Sequence, residues 1–198
     1  MKVLVACEFS GTVRDAFIKK GHEAISCDLL DGEGDGPHYK GDISEILWSD
    51  EMWDLVIAHP PCTYLANSGV SWLHKDASRW AKLDDAADFF NMFLDLDVQK
   101  LCVENPIMHK HAKERIGFRD QSQVVQPWMF GHMEQKATCL WLRGLPKLVE
   151  TNNVKKDMLK LSNAERQKMH WLPPSKDRWK LRSKTYQGIA DAMAEQWG

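Results

Sequence analysis

A thiol stands where a buried strand of this sequence is expected to end. The run 54–58, which is apolar after its first residue and contains the β-branched Val56 and Ile57, predicts a short parallel strand, and His59-Pro60-Pro61 follows it directly. Two successive prolines fix φ and remove two backbone donors, so they hold the next residue, Cys62, on a stiff turn. Such a cysteine is a candidate nucleophile, although a free cysteine is just as often a small buried side chain.

A carboxyl group follows another strand-like run in the same way. Residues 100–106 predict a sheet strand that ends in Glu-Asn-Pro, with Glu104 as the carboxylate. Open α/β sheets bind ligands in the crevice beyond the carboxyl ends of their strands, so Glu104 is expected to point into the same crevice as Cys62. A charged His59 would lower the pKa of the Cys62 thiol, and a packing role is the alternative.

The amino-terminal segment predicts the first half of a nucleotide-binding βαβ unit. Residues 3–7 form an apolar run, a turn containing Gly11 follows, and the apolar spacing of residues 13–18 suits a helix. Glycine at this turn lets a ligand approach the backbone, and the helix offers free N–H groups at its amino end. The G-x-G-x-x-G fingerprint of nicotinamide enzymes is absent, which argues against a dehydrogenase.

Two acidic residues are candidates for binding the rest of a nucleotide. Asp28 ends the predicted strand 23–28, where an acid accepts hydrogen bonds from a ribose diol, and capping the following loop is its alternative role. Asp42 is expected at the end of a third strand, where its carboxylate would accept a hydrogen bond from an adenine amino group.

The remaining hydrophobic pattern completes an α/β arrangement. Apolar spacing of three and four residues predicts an amphipathic helix over 78–94, and a final helix over 188–197 is expected to pack on the sheet beside the first one. Residues 123–127 and 137–142 predict two further strands. A mobile flap is predicted around 70–75, because its apolar residues have no clear period.

One segment carries most of the excess positive charge. Residues 147–184 contain eleven Lys and Arg against four Asp and Glu, although the net charge of the whole chain is −2. A basic segment beside an acidic body indicates a polyanionic partner such as nucleic acid, with a solvated helix face as the alternative. Residues 171–186 mix cations with aromatics, which suits phosphate contacts and base stacking, and Pro173-Pro174 predicts a loop there.

Length and composition favour one globular domain in the cytoplasm. The chain has 198 residues, of which 43% are hydrophobic and 27% are charged. It has no apolar run long enough to cross a membrane, and its first apolar run is too short for a signal peptide. The five cysteines are widely spaced without a C-x-x-C pair, so a zinc site is not expected.

Taken together, these residues resemble the motifs of the C5-cytosine methyltransferases, in the order of that family. The matching motifs are Phe9-Ser10-Gly11-Thr12, Asp28, Gly41-Asp42-Ile43, Pro60-Pro61-Cys62 and Glu104-Asn105. The family's Gln-x-Arg-x-Arg strand corresponds to residues 135–138, with Lys136 in place of an arginine, and Thr185–Ala190 resembles its closing motif. The family's large target-recognition domain is missing, and only a basic insert at about 144–184 lies where it would be.

The resemblance implies a fold and a cofactor. The chain would be a small, phage-type member with a doubly wound, Rossmann-like α/β fold around a mostly parallel sheet, and residues 1–198 would form one methyltransferase domain. A phage-encoded protein of this kind would act in the cytoplasm of its host. The residues implied to bind S-adenosyl-L-methionine are Phe9, Ser10, Gly11, Thr12, Asp28, Asp42 and Pro60.

The resemblance also implies a reaction. Cys62 would add to C6 of a cytosine so that C5 becomes nucleophilic, and Glu104 would protonate N3 if burial raises its pKa. Lys136 would complete the catalytic set. The substrate would be DNA, single-stranded or duplex, or a cytidine nucleotide, and a base in a duplex would have to flip out. The missing recognition domain favours single-stranded nucleic acid or a free nucleotide.

Two other functions are open on the sequence. Methyltransferases of the same fold act on exocyclic amino groups, but they carry an aromatic residue where Cys62 stands, and both His59 and Cys62 argue against that class. A non-catalytic module that binds nucleic acid or a partner protein would fit the small size of the chain. Such a module has no need of a thiol and an acid on converging strand ends, so Cys62 and Glu104 argue against it.

Overall fold

The computed structural model describes residues 1–49 and 51–198, which form one seven-stranded sheet. Its order is β3-β2-β1-β4-β5-β7-β6, and among these strands β7 alone runs in the direction opposite to the other six. The strands are β1 (Lys2–Ala6), β2 (Glu23–Asp28), β3 (His38–Lys40), β4 (Leu55–Ala58), β5 (Lys100–Pro106), β6 (Gln123–Val125) and β7 (Thr138–Arg143).

Helices connect the strands, and among the described residues no helix is long and apolar enough to cross a membrane. The α-helices are α1 (Thr12–Lys19), α2 (Ile43–Leu47), α3 (Ser78–Leu94), α4 (Lys110–Arg115), α5 (Lys155–Met158), α6 (Asn163–Arg166), α7 (Lys168–Trp171), α8 (Arg178–Ser183) and α9 (Gln187–Trp197). Two 3₁₀ helices span Asn67–Trp72 and Pro127–Met129.

The strand order opens a crevice at one edge of the sheet. From β1 the chain moves outward to β2 and β3, and it then returns to pair β4 with the other side of β1. At such a reversal, a crevice forms beyond the carboxyl ends of the two central strands. The doubly wound, Rossmann-like fold with a mostly parallel sheet, which the sequence predicted, is confirmed.

Apolar side chains cover both faces of the central strands. In β1, Leu4 and Ala6 face a core shared with α3 and β7, whereas Val3 and Val5 face a core shared with α1 and α9. Burying one valine or leucine side chain stabilises a fold by roughly 1.5–3 kcal/mol, so the two cores fix the strand ends in place. The helix predicted over 78–94 is α3, and α9 packs beside α1 as predicted.

Two segments that the sequence predicted to be irregular contain helices. The predicted flap at 70–75 overlaps the 3₁₀ helix Asn67–Trp72, and the buried side chain of Leu73 anchors its end. The loop predicted at the proline pair 173–174 is short, because α8 begins at Arg178. A proline restricts its own φ and the residue before it, so a new helix can begin a few residues later.

A buried arginine holds the glycine-rich loop between β2 and β3 against α1. The Arg14 side chain is fully buried, and its guanidinium donates to the Glu33 oxygen, the Pro37 oxygen and the Ser26 hydroxyl at 3.1, 3.4 and 3.0 Å. Arg14 Nε also donates to Asp15 Oδ1 at 2.7 Å. Since a buried charge is stable only when it is paired and hydrogen-bonded, this network fixes the loop next to the amino end of α1.

We expect Arg14→Met to lower the free energy of unfolding by roughly 2–5 kcal/mol, because it removes the guanidinium that bonds four acceptors, including the buried Ser26 hydroxyl. Equilibrium unfolding in urea, followed by circular dichroism, measures the change. The matched control is Lys19→Met at the exposed end of the same helix, which should stay within about 0.5 kcal/mol of the wild type. An Arg14→Met protein as stable as this control would show that the Arg14 network does not hold the loop between β2 and β3.

Candidate active site

Backbone hydrogen bonds carry the chain from β4 into the Cys62 turn. The His59 N–H donates to the Ala6 oxygen at 2.9 Å, so the pairing with β1 extends one residue past β4. Beyond the two prolines, the Cys62 oxygen accepts hydrogen bonds from the N–H groups of Leu65 and Ala66 at 3.1 and 2.9 Å. These bonds close a tight turn with the Cys62 side chain half-buried at its tip.

The register of β4 and β5 places Glu104 beside His59. The parallel strands pair Ala58 with Val103, so the next residue of each strand is a neighbour of the other. His59 Nδ1 and Glu104 Oε2 form a hydrogen bond of 3.0 Å between side chains that are only 7% and 16% exposed. The end of β4 is therefore joined to β5 by a polar contact inside the protein.

A second contact ties the Cys62 turn to β5. Asn105 Nδ2 donates to the Pro60 oxygen at 3.0 Å, and both residues are buried. The first proline of the turn is thereby fixed to the residue next to Glu104. The structure thus brings the predicted nucleophile Cys62, the predicted acid Glu104 and Pro60 to one edge of the sheet.

His59 and Glu104 change each other's pKa. Burial lowers the pKa of His59, but the hydrogen bond and charge of Glu104, aided by Glu8, outweigh it and raise that pKa above its ordinary value. Burial raises the pKa of Glu104, but the hydrogen bond and charge of His59 and the charge of Lys136 outweigh it and lower that pKa. The condition under which Glu104 would protonate N3, a pKa raised by burial, is therefore not met.

The surroundings of Cys62 favour its thiol form. Burial raises the pKa of Cys62, and the negative charge of Glu104 raises it further. The positive charges of Lys136 and Arg182 act in the opposite direction. The cations that favour the thiolate are thus Lys136 and Arg182, whereas His59, the cation considered from the sequence, is engaged by Glu104.

Lys136 joins the catalytic edge to the basic segment. Its Nζ donates to the Arg182 oxygen at 2.8 Å and lies 5.7 Å from the centre of the Tyr186 ring. A small cleft at this point is lined by Glu104, Lys136, Thr138, Ser183, Thr185 and Tyr186. The predicted catalytic residue Lys136 therefore lies at the same edge as Glu104, with the segment that resembles the closing motif above it.

A glycine and a buried acid shape the turn between β1 and α1. Gly11 has a φ of 70°, and a Cβ there would lie 2.1 Å from Arg14 Nη2, so the turn requires glycine. Glu8 is buried, and its carboxylate accepts hydrogen bonds from the N–H groups of Val13 and Arg14 at 2.7 and 3.2 Å. This carboxylate occupies the amino end of α1, where the sequence predicted N–H groups free to bind a ligand.

The basic segment covers the same turn. The predicted cofactor residue Phe9 is buried, with the Trp179 ring centre 6.2 Å and Lys184 Nζ 5.8 Å from the centre of its ring. The predicted cofactor residues Ser10 and Thr12 are half-buried, and their hydroxyl oxygens lie 3.1 Å apart. These side chains form one wall of the crevice beyond β1.

Asp28 and Asp42 both cap local backbone. Asp28 Oδ1 accepts a hydrogen bond from the Leu30 N–H at 3.0 Å, at the end of β2. Asp42 Oδ1 accepts from the N–H and the hydroxyl of Ser44 at 2.9 and 2.8 Å and so caps α2, two residues beyond β3. Oδ2 of each carboxylate has no hydrogen-bond partner within residues 1–49 and 51–198, so one oxygen of each acid can accept from a ligand.

Sequence analysis missed a strained residue at the end of β1. Cys7 has a φ of 58°, a left-handed conformation that is rare outside glycine. Its pKa is raised by burial and then by the charges of Asp28, Cys27 and Asp42, which places its side chain among the two acids. No residue type in the sequence signals this conformation, because cysteine has no special preference for it.

Comparison with known proteins gives structural likeness only. No protein-family model and no curated protein matches the sequence. Solved structures of similar fold are methyltransferases: one is described as a DNA modification methyltransferase encoded within an Escherichia coli prophage, another is EhMeth from Entamoeba histolytica, and a third is the Dnmt2 methyltransferase of S. pombe.

These likenesses are distant. The prophage and Entamoeba proteins are each 15% identical to the chain with TM-scores of 0.47, and the alignments cover 82% and 77% of the chain. The S. pombe protein is 12% identical with a TM-score of 0.40, over 89% of the chain. The chain spans 56%, 57% and 61% of the lengths of these three proteins, respectively.

We expect Lys136→Gln to slow alkylation of Cys62 by iodoacetamide at neutral pH, because it removes a cation that lowers the pKa of the thiol. Mass spectrometry of the Cys62 peptide gives the rate against pH, and the curve of the variant should lie at higher pH than that of the wild type. Lys40→Gln, which removes a surface cation paired with Asp31, is the charge-matched control. Coincident curves for the two variants would show that Lys136 has no influence on the thiol.

Proposed function

We propose that this protein transfers a methyl group from S-adenosyl-L-methionine to C5 of a cytosine, in DNA or in a cytidine nucleotide, through a covalent adduct of Cys62. The observation that carries the proposal is the placement of Cys62 and Glu104 at adjacent strand ends. Hydrogen bonds from His59 to Glu104 and from Asn105 to Pro60 hold those ends together. A thiol and a carboxyl group facing one crevice are the two groups that this reaction needs.

The role of Cys62 follows from the reactivity of the cytosine ring. C5 is a poor nucleophile until a group adds to C6, and a thiolate at the tip of a rigid turn can make that addition. The S–C6 bond forms, N3 gains a proton, and C5 acquires enamine character. After C5 has taken the methyl group, a base removes the C5 proton, the C5–C6 double bond returns and the Cys62 sulfur leaves.

The role of Glu104 is to place a proton on N3 of the same ring. Its carboxyl group lies at the strand end adjacent to the Cys62 turn, and its side chain is only 16% exposed. A proton placed on N3 stabilises the adduct, and general acid catalysis of this kind contributes roughly 10²- to 10⁴-fold to a rate. Lys136 lines the same small cleft as Glu104 and offers a donor to an oxygen of the ring or of its phosphate.

The crevice beyond β1, β2 and β3 fits the proposed cofactor. S-adenosylmethionine, when bound, supplies an electrophilic methyl group. Gly11, with its left-handed φ of 70°, forms the turn between β1 and α1. The free Oδ2 atoms of Asp28 and Asp42 are acceptors for a ribose diol and an adenine amino group. Phe9 supplies an apolar wall. Each of these groups lies at the carboxyl edge that also carries Cys62.

The basic segment supports a nucleic acid or nucleotide substrate. Trp171 and Trp179 are 63% and 52% exposed, and α8 between Arg178 and Ser183 carries three cations. Cations bind phosphates and exposed aromatic rings stack on unpaired bases. The segment reaches the catalytic edge through the hydrogen bond of Lys136 to Arg182. A target base reaches the thiol only when it is out of its stack.

The decisive experiment measures transfer of labelled methyl from S-adenosylmethionine to duplex DNA, single-stranded DNA, RNA and free cytidine nucleotides. We expect label at cytosine C5 in one of these substrates and none with Cys62→Ala, because no other residue replaces the nucleophile. Glu104→Gln should lower the rate by roughly 10²- to 10⁴-fold. Nuclease digestion and mass spectrometry locate the methyl group on the base.

The matched control is Cys102→Ala, which removes a fully buried thiol in the middle of β5 and should leave methyl transfer intact. Label on an exocyclic amino group would instead assign the protein to the amino-group methyltransferases. Absence of both transfer and cofactor binding by calorimetry would favour a non-catalytic module. Full activity of Cys62→Ala would contradict the covalent mechanism.

A further inference from the structure

The protonation of Glu104 poses a problem for the proposed reaction. The hydrogen bond to His59 at 3.0 Å and the positive charge of Lys136 lower the pKa of Glu104 and so favour its carboxylate form, which has no proton to give to N3. Its side chain is 16% exposed, so exchange with bulk water is restricted. The proton that N3 needs must therefore be stored on a neighbouring group.

His59 is the neighbouring group that can store it. Its Nδ1 is bonded to Glu104, whereas its Nε2 is buried and has no hydrogen-bond partner among residues 1–49 and 51–198. A second partner at Nε2 would hold the ring in one protonation state, but none of the described residues is bonded to Nε2. The ring can therefore change its number of protons without breaking a further hydrogen bond.

Another buried histidine shows the contrast. His109 accepts a hydrogen bond from the Ala112 N–H at Nδ1, at 3.0 Å, and its Nε2 lies 2.8 Å from the Tyr64 oxygen. Both ring nitrogens are thus used by the backbone, which fixes one neutral tautomer and gives His109 a capping role at α4. Within the part of the chain that the structure describes, Nδ1 is the only nitrogen of His59 with a hydrogen-bond partner, and that partner is the proposed catalytic acid.

We infer that His59 supplies the proton that Glu104 delivers to the target pyrimidine. This inference rests on the proposed function. Cys62 first loses its thiol proton to solvent. As the resulting thiolate adds to C6, the Nδ1–H bond of the imidazolium breaks, an O–H bond forms on Glu104, and that proton passes to N3. His59 is then a neutral imidazole and Glu104 is again a carboxylate. When the sulfur leaves, N3 returns the proton along the same path.

The charges that face His59 support this exchange. Glu104 on β5 and Glu8 at the end of β1 stabilise the imidazolium, and Lys136 ahead of β7 opposes it. Arg182, on the basic segment, acts instead on the Cys62 thiol, whose pKa it lowers. This balance raises the pKa of His59, so the ring keeps its proton to a higher pH than an ordinary imidazole does.

The test is the pH dependence of methyl transfer in His59→Gln. A glutamine amide still donates a hydrogen bond to Glu104, but it holds no transferable proton. In the variant the proton resides on the Glu104 carboxyl alone, and a carboxyl releases its proton at lower pH than an imidazolium beside a carboxylate. We expect a loss of at least roughly tenfold in rate above neutral pH, and an alkaline limb of the rate profile displaced to lower pH.

Three comparisons make the result decisive. His22→Gln, before β2 at the opposite edge of the sheet, is the control and should keep the wild-type profile. Calorimetric binding of S-adenosylmethionine reports whether each variant is folded, and His59→Asn provides a second amide variant if His59→Gln does not fold. The rate of Glu104→Gln should be low at every pH, with no alkaline limb to displace.

The possible outcomes separate the two proposals. If His59→Gln has the wild-type pH–rate profile, or loses the same proportion of its rate at every pH, the proton relay from His59 through Glu104 to N3 is overturned. His59 is then a positioning residue, and the methyltransferase assignment stays intact. Absence of methyl transfer by the wild type would overturn the proposed function and the relay together. A displaced alkaline limb in both amide variants supports the relay.

Discussion

The pairing of β4 between β1 and β5 determines where every reactive group of this protein lies. Because the three strands are parallel, their carboxyl ends meet at one edge, and the residue after each strand projects beyond the same boundary. The His59 and Glu104 side chains meet because the register continues one residue past Ala58 and Val103. A shift of that register by one residue would send one of the two side chains to the opposite face of the sheet.

The sequence was sufficient to place the thiol and the acid at this edge, but not to pair the acid with a histidine. The ends of β4 and β5 can be predicted from the sequence because prolines follow an apolar run in both cases. The register between them cannot be predicted, because strands that are buried on both faces lack the alternation of polar and apolar residues that distinguishes the two faces of a sheet. The hydrogen bond of His59 to Glu104, and the lowered pKa of Glu104, follow from that register.

Local capping accounts for the other departures from expectation. Asp42 was predicted from its position after a strand, yet the chain turns so soon into α2 that its carboxylate first serves the helix. Glu8 occupies the amino end of α1 in the same way. A pattern of apolar residues predicts that a helix begins, but the first available carboxylate decides whether its N–H groups remain free.

The contact of the basic segment with the turn after β1 has a thermodynamic consequence. Trp179 and Lys184 lie on Phe9, and Lys184 forms an ion pair with Glu33 on the glycine-rich loop, while Lys136 holds the same segment through Arg182. The basic segment thus lines two parts of the crevice: the part beyond β1, at Phe9 and Glu33, and the part beside Lys136. Any molecule that moves this stretch when it binds in one half changes the affinity of the other half, and the effect is equal in both directions. The order in which two such molecules bind, and the effect of each on the dissociation constant of the other, therefore depend on how the basic segment is anchored.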